Sequence, residues 1–296
     1  MANDSNIPQD DIQLVAQFED KTRKPQKNYI VDFWGTKINA KYYTHLHENV
    51  LNLPYPSDGI LHDFIEYLGT AVAVNLAKDR KTFTSIELGA GIGPWLARSA
   101  KLATKIGIKK VKLIGVEADR QHCNWMKKHL QENGFKSGLF SKYKVKLYNM
   151  PISGNEEYLF FPRLDSPQYD WGASASTRKS ASDYRGLELE QIRVKALPIN
   201  KLLSDYDRIE LLHVDIQGLE FEVLSKGIKL LNTITKVLVI GTHSRKIEGD
   251  LLDLFYKNKW NLRAEKPCQF LYNKNANSLT GMTSKDGTQV WINDLI

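Results

Sequence analysis

Cysteine is nearly absent: only Cys123 and Cys268 occur in 296 residues. At most one disulfide can form, so a disulfide framework and a thiol-rich metal site are both excluded. Long apolar runs are missing as well. Stretches such as Val237-Leu238-Val239-Ile240 and Ala71-Val72-Ala73-Val74 fall far below the roughly 20 residues that cross a bilayer. The N-terminus is acidic and polar without a signal-peptide pattern, which leads to the expectation of a cytoplasmic protein with no membrane span. Clusters of arginine and aromatic residues of the kind that grip nucleic acid are lacking too. There are 41 basic against 34 acidic side chains, a net charge of +7, but the lysines between Lys101 and Lys146 are interleaved with polar residues as on a solvated face. That excess can attract nucleic acid, an anionic polysaccharide or a phosphorylated substrate and names none of them; nucleic acid is not the expected partner. His45 and His47 beside Glu48 share a face only in an extended segment and have no evident third ligand, so no metal is assigned to them, while a Mg²⁺ site built from Asp215 and His243 stays open.

What is present is a core-forming chain, 42% hydrophobic, that alternates between strand and helix patterns. Strands are predicted over Thr84 to Leu88, Val111 to Val116, Tyr143 to Asn149, Ile209 to Asp215 and Lys236 to Ile240. Helices are predicted over Trp95 to Ile106, Arg120 to Asn133, Leu219 to Leu230 and Gly249 to Lys257. Such alternation means a parallel sheet covered by helices. Gln269 to Tyr272 and Gln289 to Asn293 read as a closing antiparallel hairpin, and residues 162–186 as a long loop. Residues 1–80 are expected to form an N-terminal arm and helical lobe, and residues 81–296 the α/β domain. Trp34, Tyr42 and Tyr43 in that lobe either pack it against the sheet or stack on a ligand, packing being favoured.

At the first strand-to-helix junction stands Glu87-Leu88-Gly89-Ala90-Gly91-Ile92-Gly93-Pro94. Glycine there permits positive φ and close approach of a ligand, Pro94 suits the first helical turn, and free N–H groups favour an anionic group. The loop by itself leaves a nucleotide, a dinucleotide and a plain steric turn open. Glu117, at the end of the second strand, lies beside the loop in a βαβ unit, where a carboxylate can accept from both ribose hydroxyls of an adenosine. A dinucleotide fingerprint spaces its third glycine one residue further on. An acid followed by Gly-x-Gly-x-Gly suits a methionine moiety better, since its ammonium wants a negative group, and the expected cofactor is S-adenosylmethionine.

The segment Leu211-Leu212-His213-Val214-Asp215-Ile216-Gln217-Gly218-Leu219-Glu220 resembles the Lys-Ile-Asp-Val-Glu-Gly-Ala-Glu signature of the FkbM-type methyltransferases. The resemblance continues in order through Glu87 to Gly93, Glu117, Val239 to Ser244 and Asp286 to Asn293, and covers about residues 84–293. It implies a Rossmann-like methyltransferase fold: α/β, with a mostly parallel seven-stranded sheet, an antiparallel edge hairpin and, in this chain, a small N-terminal helical lobe. It also implies methyl transfer from S-adenosylmethionine to a hydroxyl of a sugar, glycoconjugate or natural-product scaffold. Three positions depart from the family pattern: His213 replaces Lys, Gln217 replaces Glu, and Gly241 stands where a Glu is common.

Glu87, Gly89, Ala90, Gly91, Gly93, Glu117, Ala118 and Asp215 form the expected cofactor set. Asp215, at the carboxyl end of a central strand, is expected to hold the methionine ammonium, orient the acceptor hydroxyl or accept its proton. His243, ending the next strand with an imidazole near its ordinary pKa of about 6.5, is the expected general base. Trp171, Ser174 and Arg178, in a polar loop with an aromatic and cations, are expected with Glu220 to contact a small-molecule or glycan acceptor. A nucleic-acid methyltransferase, an NAD-binding oxidoreductase and a non-catalytic cofactor-fold protein remain the alternatives.

Overall fold

A computed structural model of the chain describes residues 7–43, 47, 49–59, 62–180, 187–276 and 280–296. His45 and Glu48 lie outside them. The central sheet has seven strands: β1 (Thr82–Leu88), β2 (Lys110–Glu117), β3 (Tyr143–Asn149), β4 (Ile209–Val214), β5 (Thr235–Thr242), β6 (Asn261–Lys266) and β7 (Gly287–Ile292). Their spatial order is β6-β7-β5-β4-β1-β2-β3. The pairs from β5 through to β3 are parallel, and β7 runs antiparallel to both β5 and β6. This is the parallel sheet covered by helices that the alternation predicts, in the mostly parallel, seven-stranded Rossmann-like form that the resemblance implies. Among the described residues, no helix is long and apolar enough to cross a membrane.

Seven α-helices accompany the sheet among the described residues: α1 (Gln9–Ala16), α2 (Phe64–Leu76), α3 (Pro94–Lys105), α4 (Arg120–Glu132), α5 (Ile199–Leu203), α6 (Glu220–Ile234) and α7 (Arg245–Lys257). Because side chains alternate across a strand, each interior strand feeds both faces. Leu113, Leu211, Val237, Val239 and Val290 point to one face, where Leu68, Val72, Leu96, Ala100 and Leu130 of α2, α3 and α4 cover them. Ile86, Ile114, Leu212, Val214, Leu238 and Ile240 point to the other, against Val223, Leu224, Leu231, Leu251 and Phe255 of α6 and α7. Burying one such side chain contributes about 1.5–3 kcal/mol, so these two layers hold the strand ends, and whatever they carry, in place.

Three details differ from the expectations drawn from sequence. The partner of Gly287–Ile292 in the closing antiparallel pair is Asn261–Lys266, whereas Gln269–Phe270 pairs off the main sheet with Thr283–Lys285. Strand β6 is an edge strand, so its polar sequence Asn-Leu-Arg-Ala-Glu-Lys meets solvent without penalty and carries no apolar alternation to betray it. The N-terminal lobe is not purely helical: Tyr29–Val31 pairs antiparallel with Lys37–Asn39 and parallel with Asn49–Val50. The long segment after β3 is anchored by a ladder between Tyr158–Pro162 and Gln191–Lys195.

The N-terminal residues are built into the same core as the sheet. Trp34 is fully buried, donates from Nε1 to the Val15 carbonyl at 3.1 Å and meets Tyr67 of α2 edge-on at 4.9 Å. Asp32 bonds the buried Arg98 of α3 at 2.8 Å. The Arg98 guanidinium lies over the Tyr67 and Trp95 rings at 4.5 and 4.4 Å, which spreads its charge over aromatic faces.

Candidate active site

The carboxyl ends of β1, β4 and β5 and the loops beyond them open into a crevice of about 570 Å³. Its position follows from the parallel order, because ligands of open α/β sheets bind outside the carboxyl ends of the strands. Its lining includes Gly89 to Ile92, Glu117, His122, Tyr43 and Trp171, then His62, Glu66, Trp95, His213 and Gly241, and also Lys266, Asp286 and Thr288. Asp215 and His243 line it as well.

The glycine loop is shaped by contacts that allow few other residues. Gly89 has φ +70°, and a Cβ there would run into the Asp215 carbonyl oxygen. Gly91, at φ +51°, would place a Cβ 3.5 Å from the Trp171 ring, and its N–H donates to Glu117 Oε2 at 2.7 Å. Gly93 caps α3 in the left-handed conformation, and Pro94 follows at the first helical turn. Glu117 Oε1 accepts from Asp119 N at 2.7 Å. Burial raises the Glu117 carboxyl above its ordinary range, and these N–H bonds and His122 offset part of that. Each oxygen keeps a second acceptor direction, so the carboxylate that shapes the loop can also receive hydroxyls in the crevice.

Glu87 lines the crevice, but its oxygens face the start of α3, accepting from Leu96 N at 2.9 Å and Trp95 N at 3.5 Å. Burial pushes its carboxyl up to about 8, against the pull of those two N–H bonds. At neutral pH it is largely uncharged, which weakens the expected role of holding an ammonium by charge. Ala118 does not line the crevice; its carbonyl accepts from Asn149 Nδ2 at 3.0 Å.

Asp215, Glu220 and His243 form one chain of contacts. His243 Nδ1 lies 2.9 Å from Glu220 Oε1, and His243 Nε2 lies 3.3 Å from Asp215 Oδ1. Burial opposes a charged imidazole, but the Glu220 charge and the Asp215 and Glu220 hydrogen bonds overcome it and hold the His243 pKa well above its ordinary value. With both ring nitrogens facing carboxylates and its pKa raised, His243 favours the imidazolium form, which weighs against the expected role of a neutral general base. Asp215 shows the converse. Burial would raise its carboxyl, yet the His243 bond and charge, helped by His213 and Gln217, hold it below the usual carboxylate range. Its side chain is 41% exposed, so the charge is presented to the crevice. Gln217, held at φ +56°, donates from Nε2 to Asp215 Oδ1 at 2.8 Å, a bond that a glutamate at this position would not make.

The acceptor assignments fare unevenly. Glu220 is fully buried, and Oε1 accepts from Ile216 N and Gly218 N at 3.1 Å as well as from His243. It orients the Asp215 loop and His243 and has no face toward an acceptor. Trp171 does line the crevice, but over the glycine loop: it stacks on His122 at 4.1 Å with 7° between planes and on Tyr43 at 4.6 Å. Ser174 does not line the crevice but ties its loop to the Asp215 segment, donating to the Gln217 carbonyl at 2.7 Å. Arg178 is exposed and away from the crevice. Trp34 and Tyr42 are packing residues, as favoured, whereas Tyr43 reaches the crevice.

Residues to which the sequence alone assigned no role complete the wall. His213 is 2% exposed and stacks on Trp95 at 5.2 Å, with its Nε2 3.4 Å from Glu66 Oε1. Glu66 also closes the α2 capping box, accepting from Asp63 N at 3.0 Å. Lys266 pairs with Asp63 across the mouth. The signal for His213 was its place two residues before Asp215, on the same strand face.

The family described as Methyltransferase FkbM domain matches residues 70–257. A protein of Jannaschia sp. (strain CCS1) that carries the name "Putative methyltransferase" is 31% identical over 258 residues, 86% of this chain and 89% of that protein. Among solved structures, precorrin-6Y C5,15-methyltransferase from Geobacter metallireducens GS-15 superposes over 75% of this chain and 85% of its own, with 8% identity and a TM-score of 0.39. Ribosomal protein L11 methylase from Lactobacillus delbrueckii subsp. bulgaricus does so over 88% and 91%, with 12% identity and a TM-score of 0.39.

Proposed function

The chain belongs to the FkbM methyltransferase family, and from that premise we propose that it is an S-adenosylmethionine-dependent O-methyltransferase acting on a hydroxyl of a sugar, glycoconjugate or natural-product scaffold. The observation that carries this reading is the exposed Asp215 carboxylate, fixed by His243 and Gln217 in the floor of the crevice beside the glycine loop.

The residues fit the donor. Gly89 and Gly91 leave the loop without side chains where a ligand must pass close, and Glu117 keeps acceptor capacity for the ribose hydroxyls. Trp171 and Tyr43 supply aromatic surface above that loop. When bound, S-adenosylmethionine supplies a methyl group on a sulfonium centre and leaves as a neutral thioether.

Little is then left to the chain's own residues, which orient a hydroxyl oxygen and take its proton. Asp215 suits this role despite its low pKa. A hydroxyl gaining a methyl group becomes far more acidic than any carboxylic acid, so a weak carboxylate base accepts the proton once bond formation is under way. His243 keeps Asp215 in place and ionised. Gly241 supports the same reading, since a side chain there would start 3.3 Å from Asp215 Cγ and occupy the approach to the carboxylate.

Two measurements test the proposal. Calorimetric titration with S-adenosylhomocysteine should give saturable binding, and absence of heat removes the donor assignment. Transfer of labelled methyl from S-adenosylmethionine to a panel of hydroxyl, amine and carboxylate acceptors should label hydroxyls, and Asp215→Asn should cut that rate by about 10²-fold or more. Label found solely on amines or carboxylates refutes the O-methyl reading.

A further inference from the structure

Resting on the hydroxyl reading above, we propose that His213 and Glu66 form a subsite for a second hydroxyl next to the one methylated at Asp215, so that the acceptor is a vicinal diol. The starting observation is a buried imidazole that the fold does not satisfy. His213 lines the crevice and is 2% exposed, yet among the described residues neither ring nitrogen has a hydrogen-bond partner. Glu66 Oε1 lies 3.4 Å from Nε2, an ion-pair distance too long for a good hydrogen bond. Buried polar groups in folded proteins are nearly always paired, and those that are not commonly serve a ligand.

Geometry says which ligand atom it serves. Asp215 follows directly on β4, its N–H still donating to the Leu88 carbonyl at 2.9 Å, so the His213 and Asp215 side chains leave the same face of the sheet about 7 Å apart at the backbone and can converge on neighbouring substituents of one molecule. Trp95 lies against the imidazole at 5.2 Å with 22° between planes, which covers a face of the ring and leaves polar contacts to its nitrogen-bearing edges. Glu66 stays ionised: burial would raise its carboxyl, but the His213 contact, the charges of His62 and His213 and the Asp63 N–H hold it below its ordinary range.

Chemistry selects the group. A ligand atom seated between an imidazole N–H and the Glu66 carboxylate must accept from the first and donate to the second. A hydroxyl does both. A carboxylate or phosphate cannot donate and would face Glu66 and Asp215 together; an ammonium cannot accept. One hydroxyl at Asp215 and a second at His213 and Glu66 describe adjacent positions on a sugar or cyclitol ring.

The test uses the full chain and labelled S-adenosylmethionine with methyl glycosides that carry a vicinal diol, each paired with its singly deoxygenated counterpart. The wild-type protein should favour the diol by about 10²-fold or more in kcat/KM, because removing the second hydroxyl leaves buried polar groups unpaired. His213→Ala should shrink that preference to under about tenfold, mainly through KM for the diol, while the melting temperature confirms folding. His213→Gln, whose longer side chain can bring an amide N–H near the position of Nε2 beside Glu66, should restore part of it. Equal turnover of diol and deoxy acceptors by the wild type, or an unchanged preference in His213→Ala, overturns the subsite while leaving the O-methyl reading standing. Absence of label on every glycoside, with S-adenosylhomocysteine still bound, removes the glycosidic hydroxyl reading and the subsite with it.

Discussion

Glu220→Gln removes the charge that keeps His243 protonated and leaves the side chain's size unchanged. In the wild type the fully buried Glu220 takes the Ile216 and Gly218 N–H bonds at 3.1 Å and the His243 contact at 2.9 Å. Breaking a buried ion pair by removing one partner costs about 3–5 kcal/mol. His243 retains Asp215 and can release its proton, so the lower end, about 3 kcal/mol, applies; at about 2 °C per kcal/mol for a chain of this size, the melting temperature drops by about 6 °C. The pH profile carries the sharper signature. His243 has a raised folded pKa, so its contribution is fully present below the unfolded value of about 6.5 and is lost as pH rises through the raised value. Asp215 has a depressed folded pKa, so its contribution is present above about 3.9 and is lost as pH falls through the depressed value. Together they give a plateau of stability whose alkaline edge lies above neutrality. Glu220→Gln should bring that edge down toward neutrality and leave the acid edge in place. Differential scanning calorimetry from about pH 2 to pH 9 reads both edges. A drop under about 2 °C with an unshifted alkaline edge would refute the imidazolium assignment, and with it the argument that Asp215, not His243, takes the proton.

The glycine loop separates folding from binding. Gly89→Ala sets a Cβ against the Asp215 carbonyl at φ +70° and should leave little soluble folded protein, measured as yield and melting temperature. Gly91→Ala meets only the Trp171 ring at ordinary contact distance; it should fold at a cost of about 1 kcal/mol, yet bind S-adenosylhomocysteine about tenfold or more weakly by calorimetry. Glu87 carries a folded pKa of about 8, so its contribution is full below about 4.5 and lost as pH rises through about 8. Glu87→Gln should therefore gain a few kcal/mol of relative stability between about pH 6 and pH 9, read as a melting-temperature difference that widens with pH. Trp171→Ala removes the ring stacked on His122 above the loop and should weaken S-adenosylhomocysteine binding by about tenfold; unchanged affinity would take Trp171 out of the donor site.

Legibility in the sequence tracked how local each cause is. Four of the parallel strands and the helices between them could be read because burial on both faces demands continuous apolar strands and helical spacing elsewhere, and the fifth, the edge strand β3, by its alternation of apolar and polar residues. The glycine loop and Pro94 could be read because φ and helix-start preferences belong to single residues. Strand β6 could not: at an edge its polar residues satisfy the ladder without an apolar pattern, and only its pairing with β7 defines it. Nor could the ladder between Tyr158–Pro162 and Gln191–Lys195, whose two halves are joined by a segment with no periodicity of its own.

The site followed the same rule with a different outcome, because a side chain's chemistry is set by partners that arrive from elsewhere in the chain. His243 read as a neutral base by its residue type, and the fold brings Glu220 from the start of α6 to charge it. Glu220 read as an acceptor contact, and the loop closing on it consumes its oxygens. Glu66 sits on α2, outside the segment whose pattern resembled a known signature, and it reaches His213 only because α2 packs across the strand ends. The order of motifs identified the strands that deliver Asp215, but the proposed acceptor subsite draws on α2 and β4 together. If it reads the acceptor, differences in acceptor choice among chains sharing these strands should concentrate at His213, Gly241 and α2, while the glycine loop and Asp215 stay fixed.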